Sequence, residues 1–182
     1  MDSSLIASQN IFDKGSIVEG GFFLSATHAF IGRVHAERGN WTKAAAAGKN
    51  ALKYLDYCRE KEEYGAEILF GDALYNYYSV WIPENYPLLK PIMIFFRNGD
   101  KELGITQLKK VANNAFFTRT EAQYFLMRIL ANEEENPMAA LPVAQYLAQT
   151  FPNNPYFHRF YTQTLYRVRR LDEAEVQAQS IL

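Results

Sequence analysis

Few residues in this chain are of a type that could do chemistry. The histidines are His28, His35 and His158. His28 and His35 stand seven positions apart, two helical turns, so both imidazoles fall near one face and could share a metal ion. A closed metal site needs further Cys, His or carboxylate ligands, and none falls at a spacing that completes the shell. The pair is therefore expected to be packing rings, and no metal is expected. Cys58 is the single cysteine, which excludes an intrachain disulfide. With no His or helix start beside it, it reads as a small apolar residue rather than a reactive thiol. The run Glu133-Glu134-Glu135 could supply paired carboxylates, but it closes a helix beside an Asn-Pro turn, where charges are solvated. No glycine-rich phosphate loop, nucleophile elbow or His-Glu-x-x-His pattern occurs. The chain is expected to be no enzyme, with no catalytic residue and no cofactor.

Composition narrows the partners. The 19 basic and 20 acidic residues leave a net charge of −1, so no whole-chain field draws it to nucleic acid or to anionic lipid. At 182 residues and 48% hydrophobic, the chain can bury one core, or the continuous ribbon of core that stacked repeats make, and one domain over 1–182 is expected. The start, MDSSLIASQN, has neither a basic segment nor a long apolar run, and no apolar run reaches the roughly 20 residues that span a bilayer. A soluble protein is expected, cytoplasmic, or periplasmic if an export signal has been removed.

The elements that must position any site are helices. His28 to Leu52 carries apolar and small residues at helical spacing on both sides of Gly39-Asn40, a breaker followed by a cap, and so predicts an αα-hairpin. Gly32, Ala44 and Ala51 leave room for close approach of its helices, with Ile31 and Leu52 as apolar contacts. Upstream, Leu5 to Gly15 is a weaker helix, expected to be broken from the next by Gly20 and Gly21. Arg59 to Glu63 reads as a solvated connection. Ala66 to Trp81 is the next helix, with Gly71 in the place of Gly32.

An insertion over 82–100 follows, where Pro83, Pro87 and Pro91 predict a loop to Pro91 and a short apolar helix from there to Phe96. Asp100 is expected to cap Lys101 to Ala115. Glu121 to Asn132, Pro137 to Phe151, Pro155 to Val168 and Asp172 to Leu182 complete the ladder. Ala140 and Ala174 are 34 residues apart, as are Ala144 and Ala178. The last helix has nothing after it to cover its apolar side, so the chain reads as a piece of a longer protein, and oligomerisation through that uncapped helix is a further expectation.

This pattern resembles the tetratricopeptide repeat. The motif stands here as His28-x2-Ile31-Gly32-x2-His35, then Ala44-x3-Gly48 and Ala51, departing from the family at both aromatic positions of the first helix and at the Phe of the second. Gly39-Asn40-Trp41, Gly71-x4-Asn76-Tyr77-Tyr78, the Pro-rich insertion ending Phe95-Phe96, Gly99-Asp100-x3-Gly104 and Glu121-Ala122-x-Tyr124-Phe125-Leu126 are similar to a set of bacterial tetratricopeptide proteins, and more loosely to the inclusion-body-clearance repeat family. The resemblance implies an all-α solenoid of about four antiparallel helix pairs, a right-handed superhelix with repeats near 22–57, 66–115, 121–152 and 155–182. It also implies a scaffold that binds a protein or peptide partner along its first helices.

Counting from each repeat's small residue puts Arg33, Glu37, Asp72, Tyr75, Asn76, Arg159, Gln163 and Tyr166 on that concave face, together with Ala36, Ile129, Asn132, Glu133 and Arg167. Arginine forks onto carboxylates and tyrosine packs at low entropic cost, which suits a peptide groove. Asp72 and Asn76 sit in an aromatic helix, and an unpaired buried carboxylate costs several kcal/mol, so the two are expected to have partners: each other, Arg33 or tyrosine hydroxyls. The insertion's Leu88, Leu89, Ile92, Met93, Ile94, Phe95 and Phe96 must cover something. They either cap the chain's own solenoid or form a docking surface. A small-ligand or lipid-binding module around Trp81 to Phe96 is the alternative function.

Overall fold

Helical periodicity punctuated by Gly-Asn and Asn-Pro steps yields helices throughout. The computed structural model describes residues 2–59, 61–94 and 96–180, and among these there is no strand. The helices are α1 (Asp2–Asp13), α2 (Ile17–Glu37), α3 (Trp41–Leu55), α4 (Leu69–Asn85), α5 (Lys90–Met93), α6 (Lys101–Asn114), α7 (Arg119–Arg128), α8 (Pro137–Thr150), α9 (Pro155–Arg167) and α10 (Leu171–Gln179). Two compact units result, Met1–Gln107 and Leu108–Leu182, with the boundary inside α6. No described helix is long and apolar enough to cross a membrane.

In the first unit α2 packs against both α1 and α3. Gly20 and Gly21 lie inside α2 rather than breaking the chain ahead of it. The break falls at Gly15, whose φ is +98°. The two interior glycines instead mark close approach: a Cβ on Gly20 would stand 2.5 Å from the Phe12 backbone nitrogen of α1. Close approach was predicted at Gly32, and there a Cβ would meet the Ala44 carbonyl at 3.4 Å and the Ala47 methyl at 3.5 Å. Ala47, Ala51 and Leu55 form the buried stripe of α3, with Cys58 one turn further on. The Cys58 thiol donates to the Val18 carbonyl at 3.3 Å and to the Tyr54 carbonyl at 3.8 Å.

The insertion is more helical than its prolines suggest. Pro83 lies within α4, which continues to Asn85 because the Tyr86 amide still finds the Ile82 carbonyl at 2.8 Å. A proline's fixed φ is that of a helix, so a proline near the last turn costs one hydrogen bond without ending the element. A 3-10 turn, Pro87–Leu89, and α5 follow where a loop to Pro91 was expected. Asp100 caps α6 as its position implied, accepting from the Leu103 amide at 2.9 Å.

In the second unit the Asn-Pro steps perform as read. Asn136 accepts from the Ala139 amide and Asn154 from the Tyr156 amide, each at 3.0 Å, with proline at the first helical position. Met127, Leu141, Ala144, Leu147, Phe157, Tyr161, Leu165 and Ala174 make its core. The turn that closes a helix recurs: Gly39 (φ +71°), Glu135 (φ +49°) and Arg169 (φ +65°) are each left-handed, and each stands two residues before the next helix. Glu135 and Arg169 are also 34 residues apart.

Two expectations follow. In urea unfolding, Gly20→Ala should destabilise by about 1 to 3 kcal/mol through overpacking against α1, whereas Gly48→Ala, whose Cβ would meet nothing within 4 Å, should stabilise by roughly 0.5 to 1 kcal/mol. Burial lifts the Cys58 thiol from 9.0 to about 11. The stability of keeping it neutral is complete below about pH 9 and is lost as pH rises through about 11. Stability should therefore fall less steeply over that window in Cys58→Ala than in the natural chain, as read by urea titration at each pH.

Candidate binding groove

Asp72 enters the first turn of α4 because the preceding 3-10 turn, Ala66–Ile68, feeds Leu69 and then Phe70 into the helix. Its side chain is only 13% exposed. A carboxylate held there must be paired, and it is. Arg97, at the end of the insertion, places Nη2 at 2.5 Å from Oδ1. Gln107 donates through Nε2 to Oδ2 at 3.2 Å, and its Oε1 accepts from Asn76 Nδ2 at 2.8 Å. Asn76 is itself buried, at 3.4 Å from Asp72 Oδ2. Arg59 adds a longer ion pair to Oδ1 at 3.7 Å, while its Nη2 holds Asp56 at 2.6 Å. The expected contact between Asp72 and Asn76 is present, but Arg97, Gln107 and Arg59 complete the clasp where Arg33 or a tyrosine hydroxyl was expected, Arg33 being paired with Glu37.

The clasp fixes a wall. Arg97 lies over the Tyr75 ring, 4.5 Å from its centroid, and the Tyr75 hydroxyl donates to the Arg97 carbonyl at 2.7 Å. Burial raises the Tyr75 pKa, against the pull of the Arg97 and Arg59 charges, which keeps the phenol a donor. Tyr75, Phe96 and Arg97 then face Ala46, Lys49, Leu52 and Lys53 of α3 across an open groove of about 850 Å³, with Ala45, Asp56 and Arg59 completing the lining. Among the described residues, four cations and one carboxylate line it. Arg59 and Arg97 are engaged by Asp56 and Asp72, whereas Lys49 and Lys53, one helical turn apart and exposed, have no carboxylate partner among the described residues.

The predicted positions distribute unevenly. Tyr75 lines this groove, while Asp72 and Asn76 lie beneath it as the clasp. Arg33 and Glu37 pair with each other at 2.9 Å on an exposed face of α2. Gln163 and Tyr166 line a second groove of about 680 Å³, between α9 and α10, along with Leu171, Ala174 and Ala178. Arg159 is exposed on α9, and Arg167 donates to Asn132 at 3.2 Å. Ile129, counted outward at regular spacing, is fully buried. It opens a π-helical turn, Ile129–Glu133, and the extra residue of that turn rotates everything after it off the regular helical count.

In the insertion, Leu89, Met93 and Phe96 are half-buried, and Leu88 and Ile94 are 93% and 80% exposed. Phe95 and the Ile92 side chain lie outside the described residues. Of the two histidines expected to pack, His28 does so, while the His35 ring buries its Nδ1 with no hydrogen-bond partner among the described residues. His28 stacks on Tyr54 with centroids 5.7 Å apart, and burial lowers its pKa. His158 bridges the Pro152 carbonyl at 2.9 Å and Gln177 Nε2 at 2.8 Å, so its Nε2 carries the proton and its Nδ1 accepts. Among the described residues no group of three or more His, Cys, Asp and Glu is placed to hold a metal.

Of the groove lining only Tyr75 and Phe96 were legible as site residues; the cations Lys49, Lys53, Arg59 and Arg97, with Asp56, Leu52, Ala45 and Ala46, were not. The spacing of Lys49 and Lys53 marks a shared face, but on a second helix, where no partner was sought. Arg97 gave no local signal at all. Comparison of the chain with known protein families, curated proteins and solved structures finds no match.

Asp72→Asn should destabilise the chain by about 2 kcal/mol, since it strips the charge from a largely buried carboxylate with several hydrogen-bond partners and leaves the more exposed Arg97 without its counter-ion. In a double-mutant cycle with Arg97→Ala, read by urea unfolding, the two losses should fall short of additivity by at least about 1 kcal/mol.

Proposed function

We propose that this chain is a non-catalytic, tetratricopeptide-type scaffold of about four antiparallel helix pairs, and that its first unit binds a segment of a partner protein between α3 and the end of the insertion. The observation that carries this reading is the groove of about 850 Å³, whose walls combine aliphatic, aromatic and cationic side chains already held in place by the Asp72 clasp. Preorganised walls spend little conformational entropy on binding, and a Tyr, Phe and Arg cluster is the chemistry of binding hot spots. The recurring left-handed turn at Gly39, Glu135 and Arg169 supports the repeat architecture. The lining favours a polypeptide segment over the alternative of a small apolar ligand or lipid, because Phe96 faces lysines across an open groove instead of closing an apolar pocket.

A photo-reactive side chain at Ala46, exposed within the groove, tests the reading against the same group at Ile6 of α1, exposed elsewhere. A polypeptide adduct formed from native lysate at position 46 and not at position 6 is the expected result. Equal capture at both positions, or none at 46, overturns it.

A further inference from the structure

We infer that the segment received by this groove is acidic, with a carboxylate seated between Lys49 and Lys53 and an apolar side chain beside it against Leu52 and Phe96. The inference rests on the groove reading above and names the chemistry of its partner. The charge count carries it. Lys49, Lys53, Arg59 and Arg97 face the groove, Asp56 is the one acid in the lining, and Asp72 lies beneath, so two positive charges remain unmatched among the described residues. Both belong to Lys49 and Lys53.

Like charges one turn apart on a helix repel by a few tenths of a kcal/mol, and a carboxylate between them removes that repulsion while adding two attractions. Arg97 adds a second contact of a different kind. One face of its guanidinium lies on Tyr75 and one nitrogen is held by Asp72, so the group is immobilised before a ligand arrives and loses little freedom on bonding to it. Among the described residues the groove holds two unmatched lysines, too few to track a phosphate backbone, which favours a short acidic peptide over a nucleic-acid strand.

Selection from a displayed library of random peptides against the full chain tests this. Selected clones are then assayed on three variants: Lys49→Gln/Lys53→Gln, the charge-matched control Lys14→Gln/Lys90→Gln, and Ala46→Trp, which plugs the groove. The affected side chains are exposed. The expected result is enrichment of Asp and Glu beside an apolar residue. Affinity for those clones should fall about ten-fold in the groove lysine variant and on raising the salt, and should be abolished by the plug and unchanged in the control. Clones blocked by Ala46→Trp but carrying no acidic excess overturn the inference and leave the scaffold reading standing. Clones indifferent to both groove variants, or an empty selection, overturn both. Displacement of the acidic clones by polyuridylate at equal charge concentration overturns the inference in favour of nucleic acid.

Discussion

One carboxylate that must not be left alone organises the first unit. Asp72 is placed on a helix crowded with aromatic residues, where an unpaired charge would cost several kcal/mol. Its solution is to recruit Arg97 from 25 residues further along the chain, Gln107 from α6 and Arg59 from the end of the α3 segment. Each recruitment has a structural consequence. Arg97 returns the end of the insertion to α4, Gln107 ties the middle of α6 to the same point, and Arg59 turns toward Asp56 and the groove. Tyr75, one helical turn from the clasp, then completes the wall through its ring and its hydroxyl.

The same economy governs how the helices meet. Where two helices come close, the chain uses residues without bulk: Gly20 against Phe12 and Gly104 against Ala73 and Tyr77, with Gly32 at contact distance from Ala44 and Ala47. Where a helix must end and the next begin, a left-handed residue followed by a capping position recurs, even when the residue is Glu135 or Arg169 and carries the steric cost of that conformation. The second unit applies both devices with a 34-residue interval, so Ala140, Ala144 and Ala174 are buried at repeat-related positions, while Ala178 stays exposed on the α9–α10 groove.

A groove made in this way suits recognition. Its polar atoms are largely committed to one another: the Tyr75 phenol to a carbonyl, Arg97 to Asp72, Arg59 to Asp56. What they leave for a partner is shape, apolar area and the charge of two lysines. Electrostatic complementarity of that kind tunes which segment binds and how fast it arrives.

Local residue order by itself determined the helical class, the Asn-Pro and Asp caps at Asn136, Asn154 and Asp100, the close approach at Gly32 and the need for a partner at Asp72. Each of these depends on neighbours within a turn or on the intrinsic cost of burying a group. Only the tertiary structure decided that Gly20 and Gly21 lie inside a helix, because α1 demands the small size of the first and the end of the α3 segment, at Tyr54 and Tyr57, that of the second. It also decided that α4 runs through Pro83, that a π turn buries Ile129, and that Lys49 and Lys53 face Arg97 across a groove. Periodicity reports which residues share a face of one helix; which face meets which depends on contacts such as Asp72 to Arg97, whose two ends give no sign of each other along the chain.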